Sequence, residues 1–265
     1  MKKIKLADGA PIYCLTASEA IVLDDHISGY LNHGISLREG SVVVDVGANI
    51  GVFGIRASGW WKNIEIHSFE PVPQIFEVLR KNAELSGNNR FYVYQIGLGS
   101  EEDTLSFTYF PNSPALSTSN PEMWEEDPKL FQRAVKGSIE NAPESFWWAS
   151  LVPDFLIPAI AWYLKMGKKQ VVCRVRRLSA IVDEKNIDRI DLLKIDCEGQ
   201  EWEVLMGIDE RHWDRIGSVV MEVHNNEGRL DKVRSLLQDK GFSKIVSEQE
   251  KALESTDLVN VYAVR

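Results

Sequence analysis

The sequence predicts an α/β protein in which helices cover both faces of a mostly parallel sheet. Two observations support this fold class. Apolar strands alternate with helical segments from residue 42 onward, and glycine or acidic residues follow the strand ends. Strands and helices that alternate at this spacing form parallel sheets with helical crossovers. The chain has 265 residues, 44% of them hydrophobic, which fits one large domain or one domain with an inserted cap.

The first 40 residues are predicted to form a lead-in to this sheet. A short strand is expected near residues 12–15, and a lid helix is expected over about 18–32. His26 and Tyr30 lie on this helix. Both side chains could close over a bound ligand, although aromatic residues on a helix more often serve packing.

Strands and helices then alternate on either side of a long insertion. The first half is predicted to contain strands at 42–46, 64–69 and 91–96, helices at 50–59 and 73–86, and a polar hairpin near 103–109. The second half of the sheet, residues 169–265, is predicted to contain strands at 191–195, 218–223 and 259–264, and helices at 202–207 and 228–240. Ligands of open α/β sheets bind beyond the carboxyl ends of the strands, so residues that follow these strands should meet on one face.

Glycines after the first of these strands and an acid after the second predict a nucleoside site. Gly47 and Gly51 let the backbone approach a ligand closely. Glu70 lies 19 residues beyond Gly51, and a carboxylate at that distance can accept hydrogen bonds from ribose hydroxyls. Asp45 would repel a pyrophosphate but suits the ammonium of a methionine moiety. The pattern therefore favours S-adenosylmethionine over a dinucleotide or a glycine-rich turn without a ligand.

Two later strands carry side chains that are candidates for a catalytic role. Lys194 lies within a strand that leads to Asp196 and Glu198, and Glu222 and His224 end the next strand. Alternation along a strand points Glu222 and His224 to the same face. A histidine of near-neutral pKa is a good base for a hydroxyl, and a carboxylate can orient it. Alternatively, Glu222 forms a structural ion pair with Lys194, and His224 is a loop residue.

A divalent metal at Asp196 and Glu198 is an alternative that the sequence does not favour. Carboxylates at a strand end are natural oxygen ligands, but the motif supplies no clear third ligand. Glu201, in the helix that follows, is interpreted as a first-turn acid at the positive end of the helix dipole. We therefore expect a site without a metal ion.

Residues 111–168 are predicted to form an inserted apolar cap. Its segment 146–164 has 19 residues and a single charge. A membrane-spanning helix is disfavoured, because both halves of the chain must share one sheet and because Pro153 and Pro158 break the segment. A lid over an apolar substrate is expected, and peripheral membrane or partner contact through residues 146–168 and plain core filling are the alternatives.

The distribution of charge along the chain indicates which classes of binding partner are expected. A formal net charge of −9 argues against a nucleic-acid surface. A local basic cluster follows the apolar segment and consists of Lys165, Lys168, Lys169, Arg174, Arg176 and Arg177. It could receive an acidic carrier protein, the phosphate of a phosphopantetheine arm or anionic lipid headgroups, or it could be a solvated face. Three widely spaced cysteines and the lack of a visible secretory signal predict a cytoplasmic protein with reduced thiols.

Four motifs together resemble the FkbM family of S-adenosylmethionine-dependent methyltransferases. They are Asp-Val-Gly-Ala-Asn-Ile-Gly at 45–51, Phe-Glu-Pro at 69–71, Leu-Leu-Lys-Ile-Asp-Cys-Glu-Gly at 192–199 and Glu-Val-His at 222–224. The resemblance covers roughly residues 18–265 and implies a single domain, 1–265, with a Rossmann-like class I methyltransferase fold. It is strongest to the O-methyltransferase domains of polyketide and nonribosomal peptide assembly lines, which methylate hydroxyls on carrier-tethered intermediates.

The resemblance also implies roles for individual residues. It assigns cofactor binding to Asp45, Gly47, Asn49, Gly51, Glu70, Pro71, Gly97 and Leu98. It makes His224 the catalytic base, with Glu222 orienting it. It assigns the substrate side to Lys194, Asp196 and Glu198, and we place His26 and Tyr30 of the lid helix on the same side. Two departures, Asn225-Asn226 after the histidine and the unusually apolar insertion, leave the acceptor open among polyketide-type, sugar and lipid hydroxyls. A nucleotide-dependent oxidoreductase and a non-catalytic binding module are the rival interpretations.

Overall fold

The computed structural model describes residues 1–122, 128–226, 228–249 and 256–265. In this part of the chain the strands are β1 (Lys2–Lys5), β2 (Pro11–Cys14), β3 (Val42–Val46), β4 (Glu65–Phe69), β5 (Phe91–Tyr94), β6 (Gly97–Leu98), β7 (Asp103–Tyr109), β8 (Lys169–Arg176), β9 (Leu192–Ile195), β10 (Ser218–His224), β11 (Lys244–Glu248) and β12 (Leu258–Val264). The α-helices are α1 (Ala17–His26), α2 (Val52–Trp60), α3 (Pro73–Ser86), α4 (Pro128–Glu140), α5 (Ile157–Lys165), α6 (Leu178–Lys185), α7 (Glu201–Met206), α8 (Glu210–Trp213) and α9 (Arg229–Asp239).

A seven-stranded sheet of order β11-β12-β10-β9-β3-β4-β5 forms the centre of the molecule. The strands from β10 to β5 pair in parallel, and β12 pairs antiparallel with both β10 and β11. β3 is buried along its whole length because helices cover both faces of the sheet. One face packs against α1, α2 and α3, and the other packs against α6, α7 and α9. The predicted α/β fold class is confirmed.

The predicted lid helix divides into two pieces. α1 ends at His26, and a tighter 3₁₀ helix, Ile27–Leu31, continues the chain. His33 and Gly34 both have positive φ and turn the chain away afterwards. As a result, Tyr30 lies on the 3₁₀ turn rather than on the α-helix.

A second, three-stranded sheet of order β6-β8-β7 differs from the predicted arrangement. The predicted strand 91–96 stops at Tyr94, and β6 pairs with β8 instead of extending the main sheet. The predicted hairpin near 103–109 is the single strand β7, which pairs with β8 over seven residues. Because β6 and β7 occupy both edges of β8, that strand cannot join the main sheet. The second half of the main sheet therefore begins at β9 and not at residue 169.

The insertion between β7 and β8 packs around a small core of its own. Its described helices are α4, α5 and the 3₁₀ turns Pro114–Leu116, Glu144–Leu151 and Asp154–Leu156. Phe131 and Val135 of α4 pack there against Ile157 and Ala161 of α5. Among the described residues, none of the helices has the length and apolar character needed to cross a membrane.

Candidate active site

A cavity of about 730 Å³ lies beyond the carboxyl ends of β3, β4 and β9. Most of the predicted site residues line it, namely Gly47, Asn49, Glu70, Pro71, Gly97, Leu98, Lys194, Asp196, Glu198, Glu222, His26 and Tyr30. Three predicted residues, Asp45, Gly51 and His224, are absent from the described lining. Residues that follow the parallel strands thus meet at one edge of the sheet although they are distant along the chain, as the sequence predicted.

Glu70 is held rigidly at the wall of this cavity. One of its carboxylate oxygens accepts a hydrogen bond from the Val72 N–H at 2.9 Å, and the other accepts one from the Asn49 N–H at 3.2 Å. Burial raises the pKa of Glu70 to about 7 despite these hydrogen bonds. Each oxygen keeps a further lone pair for a ligand. This buried, fixed acceptor fits the two hydroxyls of a ribose, so the residues present suit a nucleoside cofactor.

The two predicted glycines are required by packing inside the protein. Gly47 has φ of 72°, and a Cβ there would lie 1.7 Å from the carbonyl oxygen of Asp196. Gly51 has φ of 81°, and a Cβ there would lie 2.5 Å from a methyl group of Leu79. Backbone and side-chain neighbours therefore explain both glycines, and only Gly47 also borders the cavity.

Asp45 does not reach the cavity but forms a buried ion pair behind its wall. Its carboxylate lies 3.1 Å from Nζ of Lys194 and accepts a hydrogen bond from the Ser68 hydroxyl at 3.2 Å. Lys194 also donates to the Gly47 carbonyl at 3.0 Å and lies 3.7 Å from Asp196. Burial alone would lower the pKa of Lys194, but the two carboxylates outweigh it and raise the pKa. The ion-pair partners of Lys194 are thus Asp45 and Asp196, and not Glu222, which the sequence analysis gave as an alternative.

Tyr30 connects the 3₁₀ helix Ile27–Leu31 to the end of β9 by a hydrogen bond. Its hydroxyl donates a hydrogen bond to Asp196 at 3.0 Å, and its ring faces the ammonium of Lys194 at 5.4 Å. Burial, reinforced by the charges of Asp196 and Glu222, raises the pKa of Tyr30 well above its ordinary value. The hydroxyl therefore stays protonated and keeps donating. His26 lines the same cavity one turn earlier.

His224 lies behind the wall between two glutamates. Its Nδ1 is 3.3 Å from Glu201, and its Nε2 is 3.7 Å from Glu198. Burial alone would lower the pKa of His224, but Glu201, Glu198 and Glu222 outweigh it and raise the pKa to about 9. Glu201, which the sequence analysis did not place at the site, is thus a neighbour of His224, and the orienting role of Glu222 stays a prediction.

Glu198 presents a carboxyl group to the cavity from a strained backbone. Its φ of 54° lies in the left-handed region, which is uncommon for residues other than glycine. The Thr118 hydroxyl donates to the Glu198 carbonyl at 2.6 Å, and Arg229 donates to the Gly199 carbonyl at 3.2 Å. Burial raises the pKa of Glu198 to about 8. The insertion and α9 thus hold this loop in place, and the sequence analysis gave neither Thr118 nor Arg229 a role.

Glu222 and Glu19 complete the carboxyl groups of the wall. Burial raises the pKa of Glu222 well above its ordinary range, and the charges of Asp196 and Glu198 add to the shift. Glu19 of α1, which sequence reasoning missed, accepts a hydrogen bond from the Ala115 N–H at 2.5 Å and so connects α1 to the insertion. Among the described residues, no group of three or more His, Cys, Asp or Glu side chains is placed to hold a metal ion.

The remainder of the wall is apolar and comes mainly from the insertion. Its members include Leu116, Phe131, Val135, Ile139, Val152 and Leu164. Val22 and Leu23 of α1, in the N-terminal part of the chain, also belong to this apolar wall. The cavity therefore joins a polar region at the strand ends to an apolar region beneath the cap.

Comparison with known proteins identifies the family. The domain described as "Methyltransferase FkbM domain" matches residues 45–244. The chain is 33% identical to 31-O-demethyl-FK506 methyltransferase FkbM of Streptomyces tacrolimicus, over 100% of this chain and 97% of that protein. It is 34% identical to methyltransferase sdnD of Sordaria araneosa, over 89% and 87% of the two chains. It is 32% identical to AMB antimetabolite synthetase AmbE of Pseudomonas aeruginosa, over 89% of this chain but 11% of that protein.

These similarities confirm the family, the Rossmann-like class I fold and S-adenosylmethionine as the methyl donor, all of which the motifs predicted. Glu70 and the loops that follow β3 and β4 lie where the cofactor is expected, at the carboxyl ends of the strands. The chain is an S-adenosylmethionine-dependent methyltransferase and belongs to the FkbM methyltransferase family.

Proposed function

We propose that this methyltransferase acts on a hydroxyl of an apolar, natural-product-type acceptor bound beneath the cap. One observation carries the proposal: a single cavity of about 730 Å³ combines the cofactor loops, several buried carboxyl groups and the apolar side chains of the insertion. Ligand pockets usually measure about 300–1,000 Å³. Apolar contacts such as Phe131 and Val135 favour an acceptor with a substantial hydrocarbon surface.

The cofactor is expected at the polar end of this cavity. When bound, S-adenosylmethionine supplies an electrophilic methyl group. Glu70 would accept hydrogen bonds from the ribose hydroxyls, and Gly97 and Leu98 would lie near the adenine. Because Asp45 is neutralised by Lys194, Asp196 is the better carboxylate for the ammonium of the methionine moiety, since it lines the cavity and its backbone packs against Gly47.

Glu198 is the residue that we expect to accept the hydroxyl proton. It lines the cavity, whereas His224, the base that the sequence suggested, lies 3.7 Å behind it. A carboxyl group with a pKa near 8 is a stronger base than an ordinary glutamate, and a positively charged His224 would stabilise its ionised form. The acceptor oxygen would form its bond to the methyl carbon as the bond between that carbon and the sulfonium sulfur breaks, which leaves neutral S-adenosylhomocysteine, and the hydroxyl proton would pass to Glu198. Most of the acceleration comes from holding donor and acceptor at reacting distance.

The test measures formation of S-adenosylhomocysteine with apolar alcohols, amines and thiols of matched carbon skeleton. Alcohols should be the productive class. Glu198→Gln should lower turnover by about 100-fold or more, as loss of a general base does, while S-adenosylhomocysteine binds with unchanged affinity in calorimetry. Turnover with amines or thiols alone would contradict O-methylation. Normal turnover of Glu198→Gln together with an inactive His224→Ala would return the base to His224.

An acceptor tethered to an acyl carrier protein is the second candidate. Its support is the similarity of the chain to a short part of AmbE, a much longer protein named a synthetase. The same alcohol attached to a carrier protein by a phosphopantetheine arm should then react with a lower KM than the free alcohol. Equal KM values would leave the free acceptor as the substrate.

A further inference from the structure

The insertion exposes large apolar side chains to solvent within 20 consecutive residues. Four of them are each about two-thirds or more exposed: Trp147 at 72%, Leu151 at 68%, Phe155 at 77% and Trp162 at 66%. Soluble monomeric proteins seldom concentrate such side chains on one part of their surface, and when they do, the region usually contacts another molecule or a membrane.

α5 shows that this exposure is not a by-product of packing. Ile157 and Ala161, one turn apart, face the core of the insertion. Trp162 and Tyr163 lie on the opposite side and are exposed, as is Met166 directly after the helix. A surface helix normally presents polar residues on its outer side. The outer side of α5 is apolar, which indicates a second apolar environment outside the protein.

Positive charge accompanies these apolar side chains. Residues 147–169, the segment that holds these side chains, contain three Lys and one Asp, in a chain with a formal net charge of −9. Lys168 and Lys169 are exposed and lie two and three residues after Met166. Aromatic side chains bordered by lysines suit the boundary between acyl chains and anionic headgroups.

The exposed face is continuous with the cavity. Trp148 and Tyr163 are both 53% exposed, and both also line the cavity. The cavity therefore reaches the surface among the apolar side chains of the insertion. An apolar molecule dissolved in a bilayer could reach it without crossing water.

From these observations we infer that the insertion docks this protein onto an anionic membrane surface. The docking face consists of Trp147, Leu151, Phe155, Trp162 and Met166, with Lys168 and Lys169 at its border. The aromatic and aliphatic side chains enter the acyl region, and the lysines contact the headgroups. This docking is independent of which acceptor is methylated.

Vesicle flotation with the full chain tests the inference. The wild type should float with phosphatidylcholine vesicles that contain a quarter phosphatidylglycerol, and should bind pure phosphatidylcholine more weakly. Phe155→Ser and Trp162→Ser should each weaken binding by about 10-fold or more, because each removes an exposed aromatic side chain that would enter the bilayer. Lys169→Glu should weaken binding to anionic vesicles by about 5-fold or more.

Matched controls lie outside the insertion. Trp60 of α2 is half-exposed and Lys62 is exposed, so Trp60→Ser and Lys62→Glu should leave vesicle binding unchanged. S-adenosylhomocysteine binding by each variant shows that it is folded and separates this test from that of the methyltransferase site. Failure of the wild type to float would overturn the inference. So would equal losses in Trp60→Ser and Trp162→Ser, or a concentration-dependent dimer that Trp162→Ser abolishes without any vesicle binding.

Discussion

Adding one methyl group at Gly47 should destabilise the protein by more than its backbone conformation alone explains. The residue has φ of 72°, and an alanine Cβ there would lie 1.7 Å from the Asp196 carbonyl oxygen and 2.6 Å from its carbonyl carbon. Both atoms belong to the backbone, so no side chain can rotate away. Gly47→Ala therefore forces the end of β3 away from the end of β9.

The magnitude follows from two contributions. An alanine in the left-handed region costs about 1–2 kcal/mol, and overpacking a well-filled site costs about 1–3 kcal/mol more. The free energy of unfolding should therefore fall by roughly 2–5 kcal/mol. Gly40 supplies the matched control, because its φ is 74° and nothing in the described part of the chain lies within 4 Å of an added Cβ. Gly40→Ala should show the first contribution alone.

Urea unfolding, followed by circular dichroism and tryptophan fluorescence, measures both variants. The informative quantity is the difference between the two variants in free energy of unfolding, which we expect to be about 1–3 kcal/mol. Gly47→Ala should also bind S-adenosylhomocysteine more weakly, because Lys194 donates to the Gly47 carbonyl and Asn49 follows in the same turn. Equal losses of stability in Gly47→Ala and Gly40→Ala would refute the close approach of the two strand ends.

Three further predictions concern the charged groups of the site. The pKa of His224 in the folded chain, about 9, exceeds its ordinary 6.5, so protonation stabilises the fold fully below 6.5 and this stabilisation is lost as the pH rises through 9. Glu201→Gln should lower that pKa in an NMR titration and reduce the loss of stability over the same range. Lys194→Met should cost about 3–5 kcal/mol in urea unfolding because it leaves Asp45 buried without its partner, and adding Asp45→Asn should recover most of this. Glu70→Ala should weaken S-adenosylhomocysteine binding by about 100-fold in calorimetry, as the loss of two hydrogen bonds to a charged group would. An unchanged pKa of His224 in Glu201→Gln would contradict the first prediction. A double variant Lys194→Met/Asp45→Asn that is no more stable than Lys194→Met would contradict the second, and an unchanged affinity of Glu70→Ala for S-adenosylhomocysteine would contradict the third.

The sequence predicted the parts of the fold and site that depend on short stretches of chain. The run 42–46 is a buried strand because its β-branched residues suit a strand covered on both faces. Glu70 reaches the cavity because it directly follows a parallel strand, and every such strand of this sheet ends at the same edge.

The parts that sequence reasoning missed depend on pairing between distant segments. Asp45 and Lys194 lie side by side because β3 and β9 pair in a register that no motif encodes. The ion pair removes Asp45 from the cavity, although its place in the motif suggested a ligand contact. The contact of His224 with Glu201 was missed for a related reason. Glu201 accepts the backbone N–H of Gly199 at 2.6 Å, and this turn brings its carboxylate to the histidine.

The stem formed by β7 and β8 has a consequence for how enzymes of this architecture can change specificity. Tyr109 and Lys169 pair directly, so the cap leaves and rejoins the fold at neighbouring points. An exchange of everything between them leaves the seven-stranded sheet and its cofactor loops with the same connections. Doubling the length of such a loop costs only about 0.6 kcal/mol in closure entropy. Under the proposed function, the insertion is therefore a part of the fold that can be exchanged to change the acceptor while the methyl-donor half stays the same.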